Sequence, residues 1–232
     1  MKSIKDYLSE GLIKRQAGMD MRANIEAWLK EHKIKNYTVN DDLTIDVSDG
    51  VVLTRYADKE FPNYIQFRNV ADYFYCHDCP NLESLKGCPQ KVGGDFECYS
   101  CPNLESLEGA PQKVGKDFNC CGCTNLKSLA GAPQKISKYF NCANCSNLES
   151  LEGAPQKVDG SFNCSNCTNL KTLKGGPQKV GRDFNCNNCS NLESLEGAPQ
   201  NVGKDFWCKN CGVKFTRDDV KQVSNAKGII FV

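Results

Sequence analysis

The sequence predicts a repeat β-solenoid of about seven clean rungs, with a helical N-terminal cap and a small α/β C-terminal cap. Three observations carry that prediction. Seven Cys-x-x-Cys pairs recur every 22 residues without insertion or deletion, beginning at Cys76, Cys98, Cys120, Cys142, Cys164, Cys186 and Cys208. A Phe stands two residues before each first cysteine, so the two side chains fall on one side of a strand. The flanking segments do not repeat. A strict period of this length implies stacking, because one repeat cannot bury its apolar face alone.

Residues 1–52 read as the N-terminal cap, since an open solenoid end would expose its core. Ser3 with Asp6 forms a capping pair opening a short helix, with Ile4, Tyr7 and Leu8 on one side. Gly11 and Gly18 interrupt it. Asp20 then caps a second helix whose apolar face is Met21, Ile25, Trp28 and Leu29, ending near Lys33. Leu43, Ile45 and Val47 alternate as a strand, and Asp49-Gly50 is a tight turn into Val51-Val52-Leu53. The solenoid is assigned to residues 53–211, with clean repeats from about Val70. In residues 212–232, the C-terminal cap, Thr216-Arg217-Asp218-Asp219 opens a short helix containing Val220 and Val223. Gly228 precedes a last strand, Ile229-Ile230-Phe231-Val232.

Within a repeat, pairs such as Phe118/Cys120 and Phe162/Cys164 stack inward. Leu104/Leu107, Leu126/Leu129 and Leu148/Leu151 fill the interior with Val114, Ile136 and Val158, and Gly109-Ala110-Pro111 turns the chain without a helix. The pattern Phe-x-Cys-x-x-Cys-x-x-Leu resembles the leucine-rich-repeat core over about residues 70–211. The return Leu-x-x-Leu-x-Gly-x-Pro resembles the compact repeats of bacterial leucine-rich effector proteins. Phe and Cys stand where those proteins favour Leu and Val. Some of those effectors carry a ubiquitin-ligase domain after the repeats. Only about 21 residues follow Cys211, so that activity is not implied. The layout also resembles uncharacterised repeat proteins of phage and bacterial genomes. Met1 to Gly11 resembles the head-targeting leader of tailed-phage internal proteins, with Leu8-Ser9-Glu10-Gly11 fitting their cleavage pattern. An ordinary capping helix is the alternative.

The 232 residues include 29 basic and 28 acidic ones, a net charge of +1. That balance favours neither nucleic acid nor an anionic membrane as partner. No apolar run is long enough to span a bilayer, and the start lacks a secretory signal. A reducing cytoplasm with free thiols is therefore expected for the sixteen cysteines. A phage-encoded chain would work in the host cytoplasm, or be packaged in the virion.

Three chemistries suit recurrent cysteine pairs. In the preferred one they are structural, because the second Cys occupies the Asn/Cys position of the leucine-rich pattern and packs as a small hydrophobe. Zinc needs four ligands, so two rungs would have to share an ion, with Cys76, His77 and Cys79 as the best fragment. Thioredoxin-like chemistry needs the pair at a helix N-terminus, which the pattern does not provide. Cys88 and Cys121 lie outside the pairs, and Cys121 is expected to point outward as the most reactive thiol. Neither metal nor cofactor is expected, and no acid, base and nucleophile converge, so the chain does not read as an enzyme.

A binding face should lie on the outward strand positions. The residue after each Phe reads Tyr75, Glu97, Asn119, Asn141, Asn163, Asn185 and Trp207. The asparagines are expected to bond one another along the stack at about 4.8 Å spacing. Tyr73, Tyr75 and His77 share the outer face of the first clean strand, with Tyr99 beside them. Exposed aromatic clusters are preferred recognition material, so a protein partner is expected there unless the rings pack under the cap. The alternating Glu105, Lys127, Glu149, Lys171 and Glu193 read as a solubilising ladder.

Overall fold

The computed structural model describes residues 4–232, with side chains for Glu10 and from Arg15 onward. The chain forms a parallel β-solenoid of about eight turns with an N-terminal helix. Each turn supplies two short strands, one at the Lys-Val position, such as Lys157–Val158, and one at the Phe position, such as Phe162–Asn163. Two sheets result, ten-stranded through the valines and nine-stranded through the phenylalanines. The valine sheet was not anticipated from the sequence, where those valines served only as interior filling. Pairing is parallel and in register, with Phe140 opposite Phe162 and Val158 opposite Val180.

The register produces a continuous column of rings. Phe74, Phe96, Phe118, Phe140, Phe162, Phe184 and Phe206 are all fully buried. Successive centroids lie 5.0–5.9 Å apart. Burial of each ring contributes about 1.5–3 kcal/mol, and each ring pair about 0.5–1.5 kcal/mol more. The paired leucines, such as Leu148 and Leu151, close the other side of the core.

Two backbone positions explain residue choices that apolarity does not. The residue before each second cysteine is left-handed, with φ between 53° and 71° from Asp78 through Ser100, Gly122, Asn144, Asn166 and Asn188 to Asn210. Short polar residues and glycine tolerate that region best. Gly131 has φ +95°, and a Cβ there would sit 2.3 Å from the Leu107 carbonyl group of the previous turn.

At the N-terminus the expected break is absent. Helix α1 (Ile4–Glu31) runs unbroken through Gly11 and Gly18. A helical glycine costs only about 1 kcal/mol relative to alanine, too little to end a helix. Asp20 is not a cap; it lies inside α1 and accepts a hydrogen bond from Gln16 Nε2 at 3.1 Å. The Ser3–Asp6 pair and the side chains of Ile4, Tyr7 and Leu8 lie outside the described residues. Ile25, Trp28 and Leu29 are buried as expected. Trp28 meets Tyr56, Phe61 and Phe67 edge-on, each at 6.3 Å, so α1 abuts the first end of the core.

Strand β1 (Tyr37–Val39) pairs antiparallel with β2 (Ile45–Val47), which pairs parallel with Phe67–Val70. Leu43 is in the connecting turn at φ 65°, not in the strand. Asp49-Gly50 leads from β2 into β3 (Val51–Val52), which belongs to the other sheet, so this turn is a corner of the solenoid. After Cys211, helix α2 (Arg217–Val223) opens with a capping box between Thr216 and Asp219 and buries Val220. Asn225–Ala226 and Ile230–Phe231 then add the final strand to each sheet. Among the described residues no helix is long and apolar enough to cross a membrane.

Phe140→Ala should cost about 3–5 kcal/mol in urea denaturation, because the cavity opens between two stacked rings. A loss below about 1 kcal/mol would mean that the column is not what holds adjacent turns together.

Candidate functional site

The cysteines form two hydrogen-bonded files inside the solenoid. From Cys101 onward each second thiol donates back to the carbonyl of the preceding pair's first cysteine, as from Cys123 to Cys98 at 3.1 Å, Cys145 to Cys120 at 3.3 Å and Cys167 to Cys142 at 3.2 Å, while Cys79 donates to the Leu53 carbonyl at 3.4 Å. The first thiol reaches forward, as from Cys142 to the Asn163 carbonyl and from Cys164 to the Asn185 carbonyl, each at 3.4 Å. Thiols used as donors keep their protons, whereas zinc ligands must lose them. His77 does not join Cys76 and Cys79. It lies on the outer face against Asp78 and Tyr99, while both thiols are buried. Among the described residues no three His, Cys, Asp or Glu side chains converge as a metal site.

Of the sixteen thiols, only Cys121 and Cys211 are partly exposed. Cys121 accepts a hydrogen bond from Asn144 Nδ2 at 3.4 Å. Cys211 was not singled out from the sequence. It lies in the last pair, and hydrogen bonding with Cys186 holds its pKa below the ordinary thiol value, making it more acidic. Elsewhere burial has the opposite effect. It raises Cys142, Cys164 and Cys167 well above the ordinary value of 9.0, and pushes Cys189 and Cys208 up to about 12.

The outer face of the phenylalanine sheet carries the predicted binding residues. Flanking Phe on both sides, it presents a column before each Phe and a column after it. At the N-terminal end Tyr73 and Tyr75 stack at 4.6 Å, Tyr75 meets His77 at 5.9 Å, and His77 stacks on Tyr99 at 4.2 Å. All four are half-buried. Tyr73 lies over Gly50, where any Cβ would fall 2.2 Å from its ring, so the innermost ring is packed on the first turn. Burial raises the phenol pKa of Tyr75 and Tyr99 and the carboxyl pKa of Glu97 between them.

The asparagine column does not form the expected rung-to-rung amide ladder. Each side-chain oxygen instead accepts from the backbone N–H two residues on: Asn119 from Cys121, Asn141 from Ala143, Asn163 from Ser165 and Asn185 from Asn187, at 2.9–3.1 Å. The chain must turn there into the left-handed residue, and the local acceptor is used for that turn. Amide-to-amide bonds occur instead at the turn itself, from Asn188 to Asn166 and from Asn210 to Asn188, both 3.0 Å. Of the charged lateral row, Lys127 and Glu105 approach to 3.6 Å, an exposed contact of little energetic weight.

Trp207 closes the other end, stacked on Phe231 at 3.6 Å. Tyr139, Asp183 and Asp205 share this face and were missed as candidates. The alternation that singled out Tyr73 before Phe74 also puts each of them outward, so the signal was present. No family model, curated protein or solved structure matches the chain.

Two measurements test the thiol arrangement. Native-state titration with a thiol reagent should label Cys121 and Cys211 first, the remaining fourteen reacting only on unfolding. Rapid native labelling of Cys164 or Cys167 would contradict the burial. The second is a pH series. Unfolded thiols ionise near about pH 8.5 while the buried ones stay protonated, so above that pH the unfolded state binds fewer protons. The stabilisation is whole below about pH 8 and is lost as pH rises toward the folded values, by up to about 1.4 kcal/mol per pH unit for each such thiol. A urea midpoint unchanged at about pH 10.5 would show that these groups titrate freely.

Proposed function

We propose that this chain is a non-catalytic protein-binding solenoid that works in a cytoplasm. Helix α1 and the segment after Cys211 serve as its caps, in the manner of leucine-rich-repeat proteins. The most specific version is a phage protein acting on host machinery, which the leader resemblance supports. The observation that carries the reading is the cluster of Tyr73, Tyr75, His77 and Tyr99. Its rings are pre-stacked and half-buried on a rigid sheet, so little side-chain entropy remains to be lost on binding. Aromatic rings with polar tips are the groups that dominate interface energies. The recurring polar residues repeat from rung to rung instead of forming one unique reactive set, which fits binding better than catalysis.

The rival is a zinc-binding or thiol-buffering protein. Stoichiometric zinc in protein purified without added metal, with a large fall in melting temperature on chelation, would favour it, because structural zinc binding is folding free energy. For the binding reading, the decisive comparison is capture by wild type against the Tyr75→Ser/Tyr99→Ser double variant. Loss of the captured partner with a nearly unchanged melting temperature is expected. Asn141→Ser/Asn163→Ser should matter far less, since serine can still close the local turn. If the tyrosine pair instead unfolds the protein, the rings belong to the packing of the first turns.

A further inference from the structure

We propose that the C-terminal half of the same face carries a cavity for an organic cation, an ammonium or guanidinium group on an apolar stem. The cavity holds about 320 Å³ and lies between Tyr139 and Trp207. That size is at the lower end of the roughly 300–1,000 Å³ usual for small-molecule sites.

A step in side-chain size creates it. In the column after Phe, Asn163 and Asn185 are short and are followed by Trp207. In the column before Phe, Tyr139 is followed by the smaller Ser161, Asp183 and Asp205. Trp207 rests one face on Phe231, and its side toward Asn185 bounds the cavity. Tyr139 is held across the opposite corner, accepting from Asn163 Nδ2 at 2.9 Å. Two aromatic walls thus flank a polar floor two rungs wide, about 10 Å along the stack.

Charge selects the occupant. The lining contains two carboxylates and no basic side chain. Both carboxylates are fixed by the fold: Asp183 accepts from the Asp205 N–H at 3.3 Å and the Ser161 hydroxyl at 3.1 Å, and Asp205 accepts from the Ile229 N–H at 2.8 Å. The second oxygen of Asp205 has no partner among the described residues. Oriented anions beside an indole face favour a cation with an apolar stem, through charge-assisted hydrogen bonds and cation–π attraction together. A neutral sugar would use the aromatic walls but leave two charges unbalanced, and an anion would be repelled.

The inference deepens the protein-binding reading by naming the group this end would recognise, since an arginine of a partner and a free amine present the same chemistry. Its test needs no partner. The indole N–H NMR signals of Trp207 and Trp28 are followed while agmatine, acetyl-Gly-Arg-Gly-amide or neutral N-butylurea is added, buried Trp28 serving as internal control. A saturable shift of Trp207 is expected with agmatine, with the peptide or with both, weakened by salt and absent with N-butylurea. Response to both assigns the site to the cation in general; response to the peptide alone assigns it to a protein-borne arginine, and to agmatine alone to a free amine.

Asp183→Asn/Asp205→Asn keeps an acceptor for each backbone N–H but removes both charges. It should weaken binding at least about tenfold without moving the melting temperature. Asp95→Asn/Asp117→Asn alters equivalent bonds, from Asp117 N–H to Asp95 and from Tyr139 N–H to Asp117, outside the cavity. It should bind like the parent. Saturation by neither cation, equal response to N-butylurea, or undiminished affinity in the Asp183/Asp205 variant would overturn the proposal. Loss of partner capture in the tyrosine variant is a separate outcome and does not bear on it.

Discussion

In-register parallel pairing is the constraint on which the molecule depends. Each residue lies beside its own counterpart from the next turn, Phe140 beside Phe162 and Asn141 beside Asn163. Whatever a position does, it does beside copies of itself. An inward position must therefore tolerate self-stacking, which the flat rings of phenylalanine do at 5.1–5.2 Å in the middle of the array. The cysteines obey the same condition. A buried hydroxyl would need a strong partner at every turn, whereas a thiol packs as an apolar atom and makes a weak bond to the neighbouring carbonyl.

The interior was legible because periodicity and strand alternation are both local. The Phe/Cys spacing alone placed seven rings and fourteen paired thiols, and thirteen of those thiols are buried, Cys211 being the exception. The second sheet was not legible, since Lys157–Val158 spans two residues and carries no alternation to reveal it. The unbroken α1 was missed for an energetic reason: glycine is a weak breaker, and Gly18 faces open space where nothing forces a bend. The asparagine ladder was misassigned because spacing along the stack made amide-to-amide bonding possible. It could not show that the turn at Cys121, Ala143, Ser165 and Asn187 needed the same oxygens first.

The outer face follows a different rule from the core. Inside, repetition is enforced by packing; outside, solvent accepts any residue, so departures from the repeat are free to accumulate. They occur as Tyr73, Tyr75, His77 and Tyr99 on the first rungs, Tyr139 and Ser161 in the middle and Trp207 on the last, whereas Asp183 and Asp205 keep the aspartate that Asp95 and Asp117 also carry. The intervening asparagines are occupied with closing their own turns. Departure from the repeat therefore marks the aromatic groups available to a ligand, while the carboxylates beside them belong to the repeat itself.

The register also makes the solenoid a ruler. Tyr99 and Trp207 stand five rungs apart, and at about 4.8 Å per rung their strands are separated by about 24 Å. A duplication or deletion of 22 residues between them would leave every ring and thiol with an equivalent neighbour. The separation between the two aromatic ends can thus change only in whole steps of about 4.8 Å, a quantised reach that no loop insertion could reproduce.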